Sequence, residues 1–237
     1  MDITTLPVIS TLLDLTSRGL LGLTTLLTPW TGAFAGALAI VLVTLVVRAA
    51  LIPAGIAQAK ADQARVRLAP RLREIQTRYR GDRERVQRET MQLYRSENVS
   101  PFASCLPILI QAPIVGLLYS VFIHASIAGH TNELLSQTLL GVPLGTSLLH
   151  AVTTGTADLA TWLVIGCLVV AIAAVGEITR RAFRVEPVEG MPVGVLGALQ
   201  FATAVVAVFV PLAAGVYLLT TVTWTLGQRV VLRRVFG

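Results

Sequence analysis

The stretch Leu42–Pro53, LVTLVVRAALIP, decides how this chain is read. It is apolar almost throughout, yet Arg48 stands in its middle. An arginine near the centre of a membrane span costs about 2.5–3.5 kcal/mol on insertion scales. Thr44 lies four residues earlier, so on a helix the two share one face. Pro53 closes the run shortly after Arg48, which leaves the long side chain within reach of water at that end.

Outward from this stretch, apolar runs of about 20 residues recur, the signature of transmembrane helices. The chain has 237 residues, of which 54% are hydrophobic and 14% charged. A soluble domain carries about 25% charged residues. The alternating ten-residue strands of a β-barrel are missing from the sequence pattern. The expected fold class is therefore an all-α polytopic membrane protein. Five transmembrane helices are expected, with an N-terminal interfacial helix and a cytoplasmic helical hairpin.

In residues 1–31, Leu6, Ile9, Leu13, Leu20, Leu23 and Leu27 recur at near-helical spacing. Asp2, Thr5, Asp14, Ser17 and Arg18 fall between them, which predicts an amphipathic helix in the membrane interface. Span one covers 32–53. Residues 54–100 then change character, with eleven basic residues (Lys60 and ten arginines) against six acidic ones. Leu68, Leu72, Ile75 and Tyr79 form one narrow apolar stripe, and Val86, Thr90 and Leu93 a second. Gly81 can end the first helix and Asp82 can cap the next. Pro70 either kinks the first helix or marks its start.

Span two covers 101–123, with Ser100 as a natural cap and Pro107 and Pro113 inside. A loop at 124–158 carries no Lys or Arg. Span three covers 159–178, a short loop 179–191, span four 192–210 and span five 211–232, before a tail at 233–237. Seventeen basic residues then fall on one side: eleven in the hairpin, three after span three and three at the C-terminal end. The positive-inside rule places that side in the cytoplasm and the N-terminus outside. This accounts for most of the formal charge of +6 without nucleic acid. Cys105 and Cys167 lie in apolar runs and are expected as small core residues. The N-terminus lacks a basic n-region and an A-x-A site, so no cleaved signal peptide is expected.

This order of parts resembles the YidC/Oxa family of membrane protein insertases, in the short five-span form of Gram-positive bacteria. The resemblance runs over about residues 5–234. It rests on VVRAALIP, on LAPRLREIQTRYRGDRERVQRETMQLYRSENVSPFASCLPILIQAPI, and on VPLAAGVYLLTTVTWTLGQRVVLRR. The chain departs from the family pattern at Ser104, Leu218 and Val222. The resemblance implies an insertase and chaperone in the bacterial plasma membrane, with Arg48 as a fixed charge in a hydrophilic intramembrane groove and Thr44 beside it. It also implies nascent membrane proteins as substrates, with lipids, the ribosome and the Sec translocon as neighbours, acting as a monomer.

The residues themselves point to a physical mechanism rather than covalent chemistry. His124, His130 and His150 are scattered, and there is no nucleophile elbow, phosphate-binding glycine loop or metal-ligand spacing. No enzyme activity, cofactor, metal or ATP use is expected. On span five, Tyr217, Thr221, Trp224 and Gln228 recur at i, i+4, i+7 and i+11, one polar-aromatic helix face. Gln111 and Gln200 are further groove candidates. Plainer readings stand beside these. Thr220, Thr223 and Thr225 can bond back to their own helix, Gln200 can join helices, and Trp224 can be a packed aromatic. A small transporter or channel binding an anionic solute at Arg48, or a non-inserting assembly partner, remain the alternatives.

Overall fold

The computed structural model describes residues 7–97, 106–127, 129–183 and 201–236. Helices dominate. The chain divides into two units, one of residues 1–48 and 115–230, the other of 49–114 and 231–237.

In the first unit, α1 (Pro7–Thr31) and α2 (Ala35–Ala50) are separated only by a 3-10 turn at Gly32–Phe34. Gly32 sits at φ 54°, where glycine escapes the steric penalty of other residues, and this breaks the helical run. α1 buries Leu13, Ser17, Leu20 and Thr24, a face with helical spacing. Ser17 was expected on the polar face and is buried instead; Arg18 pairs with Asp14 on the exposed side. α7 (Leu159–Ala182) repeats the pattern. Its inner face is Thr161, Ile165, Leu168, Ile172, Gly176 and Thr179, while Leu159, Trp162, Leu163, Val170 and Ile178 point outward. Threonines and a glycine stand on the inner face beside Ile165, Leu168 and Ile172, and large apolar residues cover the outer face, as a lipid solvent allows. The expectation of a core cysteine fails at Cys167, which lies exposed on the outer face of α7. Cys105 lies outside the described residues.

α5 (Leu106–Ile123) contains Pro113 and ends on the buried Val121 and Phe122. The segment 124–158, expected as a connecting loop, folds into two small hairpins and a short helix. β1 (Ser126–Ile127) pairs with β2 (His130–Thr131), and β3 (Thr138–Leu139) with β4 (Val142–Pro143), both antiparallel. α6 covers Leu148–Thr153. Asn132, 3% exposed, fastens this segment to the end of α5. Its amide donates to the carbonyls of Val121 (2.7 Å) and His124 (3.0 Å), and its side-chain oxygen accepts from the Leu134 amide. Leu134, Val142 and Leu144 plug into the core.

Two further described helices belong to this unit, α8 (Ala202–Phe209) and α9 (Leu212–Phe236), the latter continuing past its boundary at 230. Pro211 separates them, as expected for a residue that cannot continue a helix. The first amides of α9 would be orphan donors. Leu212 N–H donates to Thr146 O at 2.9 Å and Ala213 N–H to Leu144 O at 2.8 Å, so the folded connector caps the helix. Glycines set two close approaches. A Cβ at Gly36 would lie 2.9 Å from Gln137 Cβ, and one at Gly215 would lie 2.9 Å from Leu168 Cδ2.

In the second unit, α3 (Ile52–Arg78) begins with Pro53 in its first turn and passes through Pro70, so Pro70 does not mark the start. A turn at 79–82 joins it to α4 (Arg83–Ser96). Gly81 at φ 109° and the Asp82 carboxylate, which accepts from the Arg85 amide at 2.9 Å, make the break the sequence predicts. The Arg85 guanidinium lies 4.8 Å from the centre of the Tyr79 ring, and Arg71 pairs with Glu97. The predicted stripe positions Leu68, Leu72, Ile75, Tyr79, Val86, Thr90 and Leu93 are all buried or half-buried.

Among the described residues, two helical stretches are long and apolar enough to cross a bilayer, Ser10–Ala50 and Leu159–Ala182, with Ala112–Ile123 a shorter apolar helix. Ser100, residues 192–200 of span four and residues 184–191 of the loop before it lie outside the described residues.

Candidate functional site

The predicted site residues in the first unit fall on two helices. On α2, Thr44 is 1% exposed and its hydroxyl donates to Ile40 O at 2.6 Å, one turn back. That bond satisfies the hydroxyl within its own helix, as threonines in lipid-facing segments require. Arg48, one turn further, is half-buried. It makes no hydrogen bond or ion pair with any described residue.

On α9, Tyr217 is 3% exposed and packs its ring against Phe122, with centroids 5.6 Å apart and planes tilted by 43°. Its hydroxyl is buried and finds no partner. The Thr221 hydroxyl, one turn along the same face, is likewise buried and unpartnered. Such groups are rare in folded proteins, because each lost hydrogen bond in a dry interior costs about 1–3 kcal/mol. The next two members of the stripe satisfy each other: Trp224 Nε1–H donates to Gln228 Oε1 at 3.1 Å. Thr220 and Thr225 bond back to Val216 O and Thr221 O, both at 2.8 Å, which is the plainer of their two readings. Among the described residues, no hydrogen bond joins the α2 pair to the α9 stripe. Gln111 lies on α5 but its side chain is outside the described set, and Gln200 lies wholly outside it.

The arrangement is a membrane-type helical unit with a cation on α2 and two hydroxyls on α9, none of them bonded to another described residue. No group of three His, Cys, Asp or Glu residues able to hold a metal occurs among the described residues. Sequence reasoning missed the Phe122 ring that holds Tyr217. It also missed a cleft between α7, α8 and α9, lined in part by Thr179, Thr203, Thr225 and Arg229. Arg229 was legible only as one more cytoplasmic charge.

Residues 26–237 match the family model described as 60Kd inner membrane protein. The chain is similar to curated proteins named membrane protein insertase YidC. That of Streptomyces avermitilis is 29% identical over 222 residues, covering 83% of this chain and 50% of the relative. That of Oceanobacillus iheyensis is 37% identical over 112 residues, 46% of this chain and 42% of the relative. That of Clostridium perfringens is 42% identical over 83 residues, 35% of each. The matches thus span half or less of the length of these relatives.

Proposed function

This chain belongs to the 60Kd inner membrane protein family, the YidC/Oxa family, and from that premise we propose that it inserts and helps fold other membrane proteins. Its substrates are nascent membrane proteins, and its route is a hydrophilic groove bearing Arg48 and Thr44 on α2 and Tyr217, Thr221, Trp224 and Gln228 on α9. Gln200, outside the described residues, completes the proposed lining.

The observation that carries the reading is the set of polar groups without partners among the described residues: half-buried Arg48, and the buried hydroxyls of Tyr217 and Thr221. Polar groups of a substrate that enter a bilayer lose their water, at several kcal/mol for each unsatisfied group, roughly. Fixed partners within the membrane lower that barrier. The Arg48 charge attracts acidic residues of an incoming segment, most strongly where water is scarce. The hydroxyls accept or donate to its backbone. The energy comes from partitioning the apolar segment into lipid, with no nucleotide hydrolysis and no covalent step.

In this reading the protein sits in the bacterial plasma membrane with five spans, the N-terminus outside and the C-terminus in the cytoplasm. α1 lies at the outer interface, and α3 and α4 form a cytoplasmic hairpin for contact with the ribosome or the Sec translocon. A single copy suffices.

Reconstitution of the purified chain in liposomes tests the proposal. Insertion of a small one- or two-span substrate is compared for wild type, Arg48→Ala and Arg48→Lys. Activity should fall with Ala and return in part with Lys. Equal insertion by all three would remove Arg48 from the route, and no insertion above empty liposomes by wild type would reject the activity itself.

A further inference from the structure

We infer that the cleft between α7, α8 and α9 is a binding site for an anionic phospholipid, its phosphate held by Arg229. The cleft has a volume of about 150 Å³ and lies wholly within the first unit. Its walls are of two kinds. Ile172, Val175, Val222 and Leu226 are apolar, and Gly176 on α7 presents no side chain. Thr179, Thr203, Thr225 and Arg229 are polar. Val222, Thr225, Leu226 and Arg229 share one face of α9 by their spacing, as Ile172, Val175, Gly176 and Thr179 do on α7.

The two helices run in the same direction, since Gly215 meets Leu168 at one level and residues 222–229 share the cleft with 172–179 at the next. Arg229 and the basic end of α7 therefore lie at the same end of the unit. An amphiphile with an apolar tail and a charged head matches that polarity. Basic pockets between transmembrane helices are a recurring means of holding anionic headgroups.

The charges agree. Arg229 makes no ion pair with any described residue. The acidic group on the adjoining stretch of α7, Glu177, is already occupied by Arg180 at 2.7 Å and Arg181 at 2.6 Å, so it does not neutralise Arg229. The hydroxyls add selectivity of another kind. Thr179 and Thr225 spend their protons on Val175 O and Thr221 O, which leaves their oxygens as acceptors. A headgroup that carries hydroxyl donors, such as that of phosphatidylglycerol, fits these acceptors. This site does not depend on the insertase reading, and its test does not measure insertion.

The protein is equilibrated in equal mixtures of phosphatidylglycerol and phosphatidylcholine, and the lipid it retains after detergent exchange is counted by native mass spectrometry. Wild type should retain the anionic lipid with about fivefold preference, the effect of roughly one basic residue at a membrane surface. Arg229→Gln should abolish the preference and Arg229→Lys should keep most of it. Leu226→Trp, which fills the cleft but keeps the charge, should also abolish it, while Arg234→Gln should leave it intact. Melting in neutral lipid checks that each variant is folded. The inference is overturned if Arg229→Gln and Leu226→Trp retain the wild-type preference, or if Arg234→Gln loses it equally, which would mean diffuse surface charge. Displacement of the lipid by millimolar inorganic phosphate would also overturn it, because the site would then bind a free anion only.

Discussion

Tyr217 and Thr221 separate the needs of folding from the needs of function at the level of single atoms. Their hydroxyls are buried and bonded to no described residue. Removing an unsatisfied polar atom does not cost the usual hydrogen bond and relieves a desolvation penalty of about 1–3 kcal/mol. Tyr217→Phe and Thr221→Val should therefore melt at or above the wild-type temperature, and yet insert substrate more slowly. A clear loss of stability would show that the hydroxyls serve the fold. Asn132 is the opposite case, since all its hydrogen bonds are internal. Asn132→Ala strands two carbonyls and an amide and should lower stability by about 2–3 kcal/mol in a denaturation measurement. Leu140 marks a third situation. It sits at φ 52° beside Gly141 at φ 86°, the tip of the β3–β4 hairpin. A two-residue turn of this kind needs positive φ at both positions, which asparagine adopts at less cost than leucine. Leu140 is also largely exposed, so Leu140→Asn sacrifices little packing. It should raise stability by about 1 kcal/mol.

At the scale of elements, helix ends are set by chemistry that can be titrated. The Asp158 carboxylate caps α7, accepting from the Thr161 hydroxyl at 2.6 Å and the Thr161 amide at 2.8 Å. The Thr161 side chain, then its backbone amide, hold this carboxyl below the ordinary aspartate value. A carboxyl whose folded value is depressed contributes stability above its unfolded range, and loses it as pH falls through the folded value. The melting temperature of wild type should therefore drop on acidification more than that of Asp158→Ala, and the two curves should converge at low pH. Parallel curves would show that the cap adds nothing. The start of α9 is handled differently. Its first amides are taken by backbone carbonyls of Leu144 and Thr146, so no side-chain substitution removes that cap.

For the first unit as a whole, glycines record how closely its parts approach. Gly36 faces Gln137 and Leu144 of the folded connector, and Gly215 faces Leu168 of α7. A methyl group at either place would overlap a neighbour at 2.9 Å. Gly36→Ala meets the stiff base of a side chain and should destabilise by about 1–3 kcal/mol. Gly215→Ala meets the far end of a leucine, so its effect should be smaller and should shrink further in a Leu168→Ala background. That non-additivity, read from a double-mutant cycle, reports the contact directly.

Much of this was legible in the chain itself. Helical class follows from apolar runs too long for strands, because lipid offers no partner to an open backbone. The break at Gly81 and Asp82 and the end at Pro211 follow from local backbone chemistry, which acts within a few residues. The YidC/Oxa resemblance was legible in the block from Arg48 to Phe122, and the family match over residues 26–237 agrees with it. Three things were decided only by tertiary structure. The segment 124–158 has no long period to betray its two hairpins, and its fold comes from Asn132 and from plugging Leu134, Val142 and Leu144 into the core. Ser17 is inside and Cys167 outside because in a lipid-facing unit polarity does not sort residues as it does in water. Lastly, Thr221 is unpartnered while Thr220 and Thr225 are not, though all three stand on one helix. Composition cannot tell them apart, since what differs is whether each hydroxyl turns back to a carbonyl of its own helix.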